Sequence, residues 1–250
     1  MSIGRTVHRT VRSILEKRGY WIRHQSVLPY GVEYQHDIRR LSNIFGTSVN
    51  VFFDVGANSG QTSAAALTSF PDATIYAFEP DKATFTALTA NIRSSRFRPF
   101  NLALSDRCGE ARFFDYGALA TSNSLVEDSQ YASRSNQQAT IRSVDCDTLD
   151  GLCSKLGVDQ IDVLKVDTEG HDLAVLRGAE RMLAERRIQF VYIEFNTLLP
   201  KAGTTGGALL PIGDLLEPLG FRFVASYPEY MITTGDLFVT SNALFVYNAR

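Results

Sequence analysis

From Val49 onward the chain alternates short apolar runs with longer amphipathic ones, and few folds accept that rhythm. Val49–Val55, Thr74–Glu79, Pro99–Leu104, Ile161–Val166 and Ile188–Phe195 read as strands. Gly60–Phe70, Asp81–Ile92 and Asp172–Leu183 read as the helices between them. Apolar strands that hardly alternate must be covered on both faces, so the pattern predicts a mostly parallel sheet with helices on each side. The expected fold is α/β and Rossmann-like, with seven strands in the main sheet. Pro211–Leu219 is a late helix, and Phe221–Ala225 and Ala243–Tyr247 are closing strands.

Residues 107–146 interrupt the rhythm. Ala111–Tyr116 and Ala139–Val144 look like two further strands, separated by the Ser/Asn/Gln-rich stretch Thr121–Gln138. They are expected to form a hairpin insertion with a polar loop on the ligand side. Thr204–Gly207 is a second loop segment that can frame a substrate.

The N-terminal segment, 1–48, is expected to be helical and separate from the body at 49–250. Arg5, Arg9, Arg12, Lys17, Arg18 and Arg23 face a single acid, Glu16, and Val7, Val11, Ile14 and Leu15 recur at helical spacing. The plain reading is an amphipathic helix packed on the body; contact with an anionic membrane surface is the alternative. A second helical pattern runs through Ile38, Leu41 and Ile44. No apolar run approaches the roughly 20 residues needed to span a bilayer. Net charge is -2, which gives no global basic field for nucleic acid. The three cysteines form no CxxC pair, so neither a zinc site nor a disulfide framework is expected, and a reducing cytoplasm is the default location.

The chemistry is concentrated at strand ends. Asp54-Val55-Gly56-Ala57-Asn58-Ser59-Gly60-Gln61 follows the first strand and opens a helix. Such a loop lies at the switch point where open α/β sheets bind ligands. Its GxxxG spacing is not the GxGxxG of the dinucleotide fingerprint. Gly56 lets the backbone turn and approach a ligand, and Gly60 permits tight packing or a second approach. Glu79 ends the second strand before Pro80, where a ribose-binding carboxylate belongs. Ser105 and Asp106 end the third strand, placed to hydrogen-bond a base ring or to make an Asx turn.

The fourth strand carries Lys165-Val166-Asp167-Thr168-Glu169-Gly170-His171. Lys165 and Asp167 share one side of it, and charges in an apolar strand must be paired or functional. His171 near a helix N-terminus is disfavoured as imidazolium, and a neutral ring suits a general base. Asp167 and Glu169 can alternatively serve only to cap the helix that starts at Asp172. Asp167, Glu194 and Asn196 make an oxygen set suited to Mg²⁺ or Ca²⁺, though hydrogen bonding without a metal is the preferred reading.

The blocks DVGANSGQ, YAFEP, NLALSD, TLD, IDVLKVDTEGHDLAVLRGA and IEFN, in this order, resemble the FkbM family of methyltransferases over about residues 49–196. That resemblance implies an S-adenosylmethionine-dependent O-methyltransferase acting on a hydroxyl of a sugar, glycan or related metabolite. It places Asp54, Gly56, Asn58, Gly60, Glu79 and Asp106 at cofactor positions, with Gln61, Thr62, Pro80 and Ser105 beside them. Ser124, in a Ser-Leu element of the insertion, is expected near the cofactor, on a loop able to close as a lid. Asp167, Glu169 and His171 are the expected catalytic residues. A nicotinamide-dependent oxidoreductase and a noncatalytic cofactor-binding subunit are the alternatives. The acceptor and the oligomeric state stay open, because specificity lies in loops.

Overall fold

In the computed structural model of the chain, the residues described are 14–19, 28–117, 123–127, 139–199, 207–233 and 237–248, without the side chains of 229–239. Five strands satisfy the apolar pattern: β1 (Val51–Val55), β2 (Thr74–Phe78), β3 (Phe97–Phe100), β7 (Ile161–Val166) and β8 (Ile188–Phe195). They pair in parallel in the order β3-β2-β1-β7-β8. Two long strands, β9 (Phe221–Thr233) and β10 (Leu237–Tyr247), complete seven; β10 runs antiparallel to both β8 and β9. The expected doubly wound, mostly parallel sheet is therefore observed. The chain departs in opposite directions from β1, toward β2 and toward β7, and the ends of β1 and β7 open a crevice there.

Both faces of the sheet are buried, which is why its strands are apolar throughout. One face is covered by α1 (Tyr34–Phe45), α2 (Gln61–Ser69) and α3 (Lys82–Asn91), through Ile38, Ala66 and Leu88 packed with Phe52, Ile75 and Val163. The other is covered by α4 (Leu149–Leu156), α5 (Asp172–Arg177), α6 (Glu180–Ala184) and α7 (Leu209–Leu216), through Leu149, Leu176, Leu183 and Leu216 packed with Phe53, Leu164 and Phe245.

Helix α1 is capped by the Glu33 carboxylate, which accepts from the backbone N–H of Gln35 and His36, and by left-handed Gly46. Its inward face is Tyr34, Ile38, Leu41 and Phe45, whereas Ile44 is 68% exposed. Tyr34 stacks on Tyr192 of β8 at 3.9 Å between ring centroids, and buried Asp37 accepts from the Tyr227 hydroxyl at 2.8 Å. Of the more N-terminal pattern, Val7 and Val11 lie outside the described residues, and Ile14 is half-exposed. Among the described residues no helix is long and apolar enough to cross a membrane.

Three expected elements are divided. The run Pro99–Leu104 splits into β3 and β4 (Ala103–Leu104) because the Asn101 amide donates to the carbonyls of Glu79 and Pro80, both at 2.9 Å, and turns the chain. Strand β4 then joins a second sheet, β4-β6-β5, formed with β5 (Gly109–Asp115) and β6 (Thr140–Asp147). Strands β5 and β6 are the antiparallel hairpin expected of the insertion. Arg142 on β6 pins that hairpin to the body, ion-pairing with Asp81 at the N-cap of α3 and with Asp115. The last expected helix is likewise divided into α7 and a short 3-10 turn over Glu217–Leu219.

The helix expected over Asp172–Leu183 breaks between α5 and α6 at Gly178. There the backbone is pressed on β4's end so closely that a Cβ would stand 2.0 Å from the Ser105 carbonyl oxygen. Gly178→Ala should therefore lower stability by about 1–3 kcal/mol, the scale of an overpacked core site. Urea denaturation checks this; an unchanged midpoint would mean the two backbones can part freely.

Candidate active site

The loop after β1 is shaped by what lies beneath it. Gly56 has φ 73°, and a Cβ there would come within 1.8 Å of the Asp167 carbonyl oxygen. Glycine is thus required for the ends of β1 and β7 to approach, more than for room to seat a ligand. The N–H groups of Gly56 and Ala57 both donate to the Phe78 carbonyl, at 3.1 and 2.9 Å, binding the loop to the end of β2. Asn58, left-handed at φ 48°, turns its N–H onto Glu79 Oε2 at 3.0 Å, and the Asp81 N–H donates to Oε1 at 2.8 Å. Glu79 is therefore fixed at the strand end by two backbone donors, with further lone pairs to spare. Burial pushes its carboxyl up to about 7, outweighing those two hydrogen bonds. Gly60 packs the helices: a Cβ would meet Ile92 and Leu88 of α3 at 2.7 and 2.8 Å.

Asp54 and Lys165 occupy neighbouring positions on β1 and β7 and face the same side of the sheet. Lys165 Nζ lies 3.1 Å from Asp54 Oδ1 and 3.5 Å from Asp167 Oδ2. It also donates to the carbonyls of Gly56 at 2.8 Å and Val55 at 3.3 Å. Burial disfavours the ammonium, but the carboxylates of Asp54 and Asp167 outweigh it and raise its pKa above the ordinary lysine value. Asp54 is fully buried and accepts from Ser63 Oγ at 2.6 Å. Its carboxylate is thereby committed to Lys165 and Ser63, and it does not line the cavity. In this arrangement Asp54 holds the loop in place.

On the other side of the crevice, Asp172 caps its own turn. Its carboxylate accepts from the Thr168 N–H and hydroxyl at 2.9 and 3.0 Å and from the Gly170 N–H at 3.1 Å. That job is filled, so Asp167 and Glu169 are free to face the cavity, and Glu169 does so from a left-handed backbone with φ 55°. Carboxylate oxygens of Asp167, Glu169 and Glu194 lie within 4.8 Å of one another. Burial and then the neighbouring Asp167 and Asp172 charges push Glu169 up to about 9; burial and Asp167 raise Glu194 well above its ordinary value.

His171 Nε2 lies 2.9 Å from Ser105 Oγ, which in turn donates to Asp106 Oδ1 at 3.2 Å. Burial lowers the pKa of this histidine, with Arg107 adding to the effect and Asp106 opposing it, so the ring is neutral near pH 7. Ser105 is buried at 1% exposure and Asp106 is exposed, and neither lines the cavity.

One cavity of about 430 Å³ gathers these groups. It is lined by Gly56, Asn58, Gln61, Thr62, Glu79 and Pro80 on the β1–β2 side, and by Asp167, Glu169, His171 and Glu194 on the β7–β8 side. Ser124 also lines it, but its hydroxyl lies 2.9 Å from the Glu169 carbonyl and 3.2 Å from that of Thr168, and it accepts from the Val126 N–H at 3.0 Å. Ser124 is a latch that fixes the Thr168–Glu169 turn. Ser122 and most of Thr121–Gln138 lie outside the described residues. Asn196 does not line the cavity; its N–H donates to the Gly207 carbonyl at 2.9 Å. Phe113, Leu125 and Thr240, which sequence reasoning missed, also line the cavity. The available signal for Thr240 was the polar triplet Thr240-Ser241-Asn242 inside an otherwise apolar strand.

This sheet order, with a last strand inserted antiparallel and a carboxylate at the end of β2, defines a Rossmann-like class I methyltransferase. The chain belongs to the FkbM family, whose methyltransferase domain matches residues 54–223. It is similar to the 2-O-methyltransferase NoeI of Sinorhizobium fredii, 28% identical over 207 residues covering 78% of this chain and 80% of that one. It is 30% identical to the hexuronic acid methyltransferase AglP of Haloferax volcanii, over 65% of this chain and 62% of that one. It is also 30% identical to the 31-O-demethyl-FK506 methyltransferase FkbM of Streptomyces tacrolimicus, over 70% of this chain and 74% of that one. The protein is a methyltransferase, and the oxidoreductase and noncatalytic alternatives fall away.

Removing Lys165 alone strands a buried Asp54 carboxylate. Lys165→Met should cost about 3–5 kcal/mol, and Asp54→Leu with Lys165→Met much less, since both charges then leave together. Denaturation of the two variants checks this; equal losses would show that Lys165 acts through packing rather than charge.

Proposed function

We propose that this protein transfers a methyl group from S-adenosylmethionine to a hydroxyl of a sugar, glycan or related metabolite. The observation that carries the reading is Glu79: a buried carboxylate, held by two backbone N–H groups at the end of β2, lining a cavity with the glycine loop beside it. A carboxylate so placed accepts from both hydroxyls of a ribose through charge-assisted hydrogen bonds. When bound, the cofactor supplies an electrophilic methyl on a sulfonium. Gly56, Asn58, Gln61, Thr62 and Pro80 shape the cradle, with Asp54 and Lys165 fixing it from below.

The chain's part in the chemistry is orientation and proton removal. With the Ser105 hydroxyl donating to Asp106, the His171 Nε2–H donates to Ser105 Oγ, which leaves Nδ1 as the proton acceptor. His171 would then take the acceptor hydroxyl's proton at Nδ1, while the bound cofactor would supply the methyl, its carbon–sulfur bond breaking to leave S-adenosylhomocysteine. The relatives named for a 2-O position and for a 31-O-demethyl compound support a hydroxyl acceptor, and the one named for a hexuronic acid supports a sugar. The three free thiols fit a reducing cytoplasm.

The direct test is incubation of the protein with methyl-labelled cofactor and a panel of sugar and glycan acceptors. Label should appear on an ether oxygen. No binding of S-adenosylhomocysteine by calorimetry would remove this reading. Because the ionised form of Glu79 is the better acceptor, affinity for S-adenosylhomocysteine should weaken as pH falls through about 7. Glu79→Gln should flatten that dependence and cost about 1–3 kcal/mol of binding. His171→Ala should lower turnover by about 10²–10⁴-fold while leaving calorimetric cofactor affinity nearly unchanged; full turnover in that variant would assign the proton to another group.

A further inference from the structure

We infer that Asp167, Glu169 and Glu194 hold a divalent cation of the Mg²⁺, Mn²⁺ or Ca²⁺ class, with the Thr240 hydroxyl beside it. Three elements bring the acids together: the end of β7, the left-handed turn after it, and the end of β8. Their oxygens lie within 4.8 Å of one another, and oxygens on opposite sides of one such ion stand about 4–5 Å apart. The donors are all hard oxygens, which suits these cations and not a thiolate-seeking metal.

Charge points the same way. Asp172 lies behind the cluster as a fourth carboxylate, spent on backbone and hydroxyl donors. Lys165 reaches Asp167 at 3.5 Å but is closer to Asp54, at 3.1 Å, whose negative charge it already balances. Glu169 and Glu194 have no ion-pair partner among the described residues.

A second, independent observation comes from the neighbouring strand. Thr240 on β10 is 2% exposed and lines the same cavity, yet its Oγ1 makes no hydrogen bond. Asn242, cross-strand from Glu194 and also 2% exposed, has an Oδ1 without a partner. Buried hydroxyl oxygens are nearly always satisfied, so the Thr240 orphan, lining the same cavity as the acids, marks a place for a ligand shell. A hydrated cation there answers both the excess charge and the unsatisfied hydroxyl. Sequence reasoning set a cation aside and offered Asn196 as the third ligand; the folded chain offers Glu169 in its place. If the methyl-transfer reading holds, the cation orients the acceptor's hydroxyls, but the site itself does not depend on that reading.

The test is direct metal binding with Mn²⁺ as probe. Chelator-treated protein, without cofactor or acceptor, is titrated with Mn²⁺ while water-proton relaxation is followed. One site per chain is expected. Glu194→Gln and Glu169→Gln should each weaken it at least tenfold, and Thr240→Val should weaken it several-fold. Circular dichroism and thermal unfolding confirm that each variant is folded, and Thr240→Val, which alters no charge, carries the test if a carboxylate variant fails to fold. No Mn²⁺ binding by the unaltered protein overturns the inference, as does binding that all three substitutions leave unchanged. Failure here with S-adenosylhomocysteine still bound leaves the methyl-transfer reading intact, and the reverse result leaves the cation site.

Discussion

Lys165 is a buried ammonium on which the geometry of the crevice depends. It holds Asp54 and the carbonyls of Val55 and Gly56 on β1, and it reaches Asp167 just beyond its own strand. A charge so deep is stable only when its partners are fixed and close. The same contacts therefore set the spacing of two strand ends and the path of the glycine loop. The cradle inherits its shape from this pair, of which Lys165 lines the cavity and Asp54 does not.

Around that pair the chain separates carboxylates that build from carboxylates that face inward. Asp172 holds the turn before α5, Asp81 caps α3 and receives Arg142 from the hairpin, and Asp54 balances Lys165. Each of these is surrounded by donors. Glu79 is bound by two N–H groups and still has lone pairs to offer, and Asp167, Glu169 and Glu194 crowd one another across the crevice. The β1–β2 side and the β7–β8 side of the cavity thus differ in kind: one presents a single well-held acid, the other an excess of negative charge.

Much of this was legible in the residue order. The strands at Ile161–Val166 and Ile188–Phe195 match their apolar runs in full because both faces of a central strand are buried. Glu79, Asp167, Glu169 and His171 stood out as polar residues at strand ends, and all four line the cavity. Residue order misjudged what each polar atom bonds to. Asp106 and Asp54 sit at equally suggestive positions, yet one is exposed and the other is wholly committed. Ser124, expected beside the cofactor, lines the cavity and also latches the Thr168–Glu169 turn, through carbonyl partners 44 and 45 residues away.

The sequence by itself determined the layer plan, the switch point after β1 and the acids carried to its edge, because hydrophobic period and strand-end position are local properties of the chain. Only tertiary structure decided which acids stay free. Glu194 meets Asp167 and Glu169 only through the pairing of β7 with β8, and Ser105 meets His171 where Gly178 lets α5 and α6 close on β4. Asn242 comes opposite Glu194, and Thr240 to the cavity, only through the antiparallel insertion of β10. Hydrogen bonds and charges act through space over a few ångströms, so their partners are fixed by packing between elements far apart in the chain.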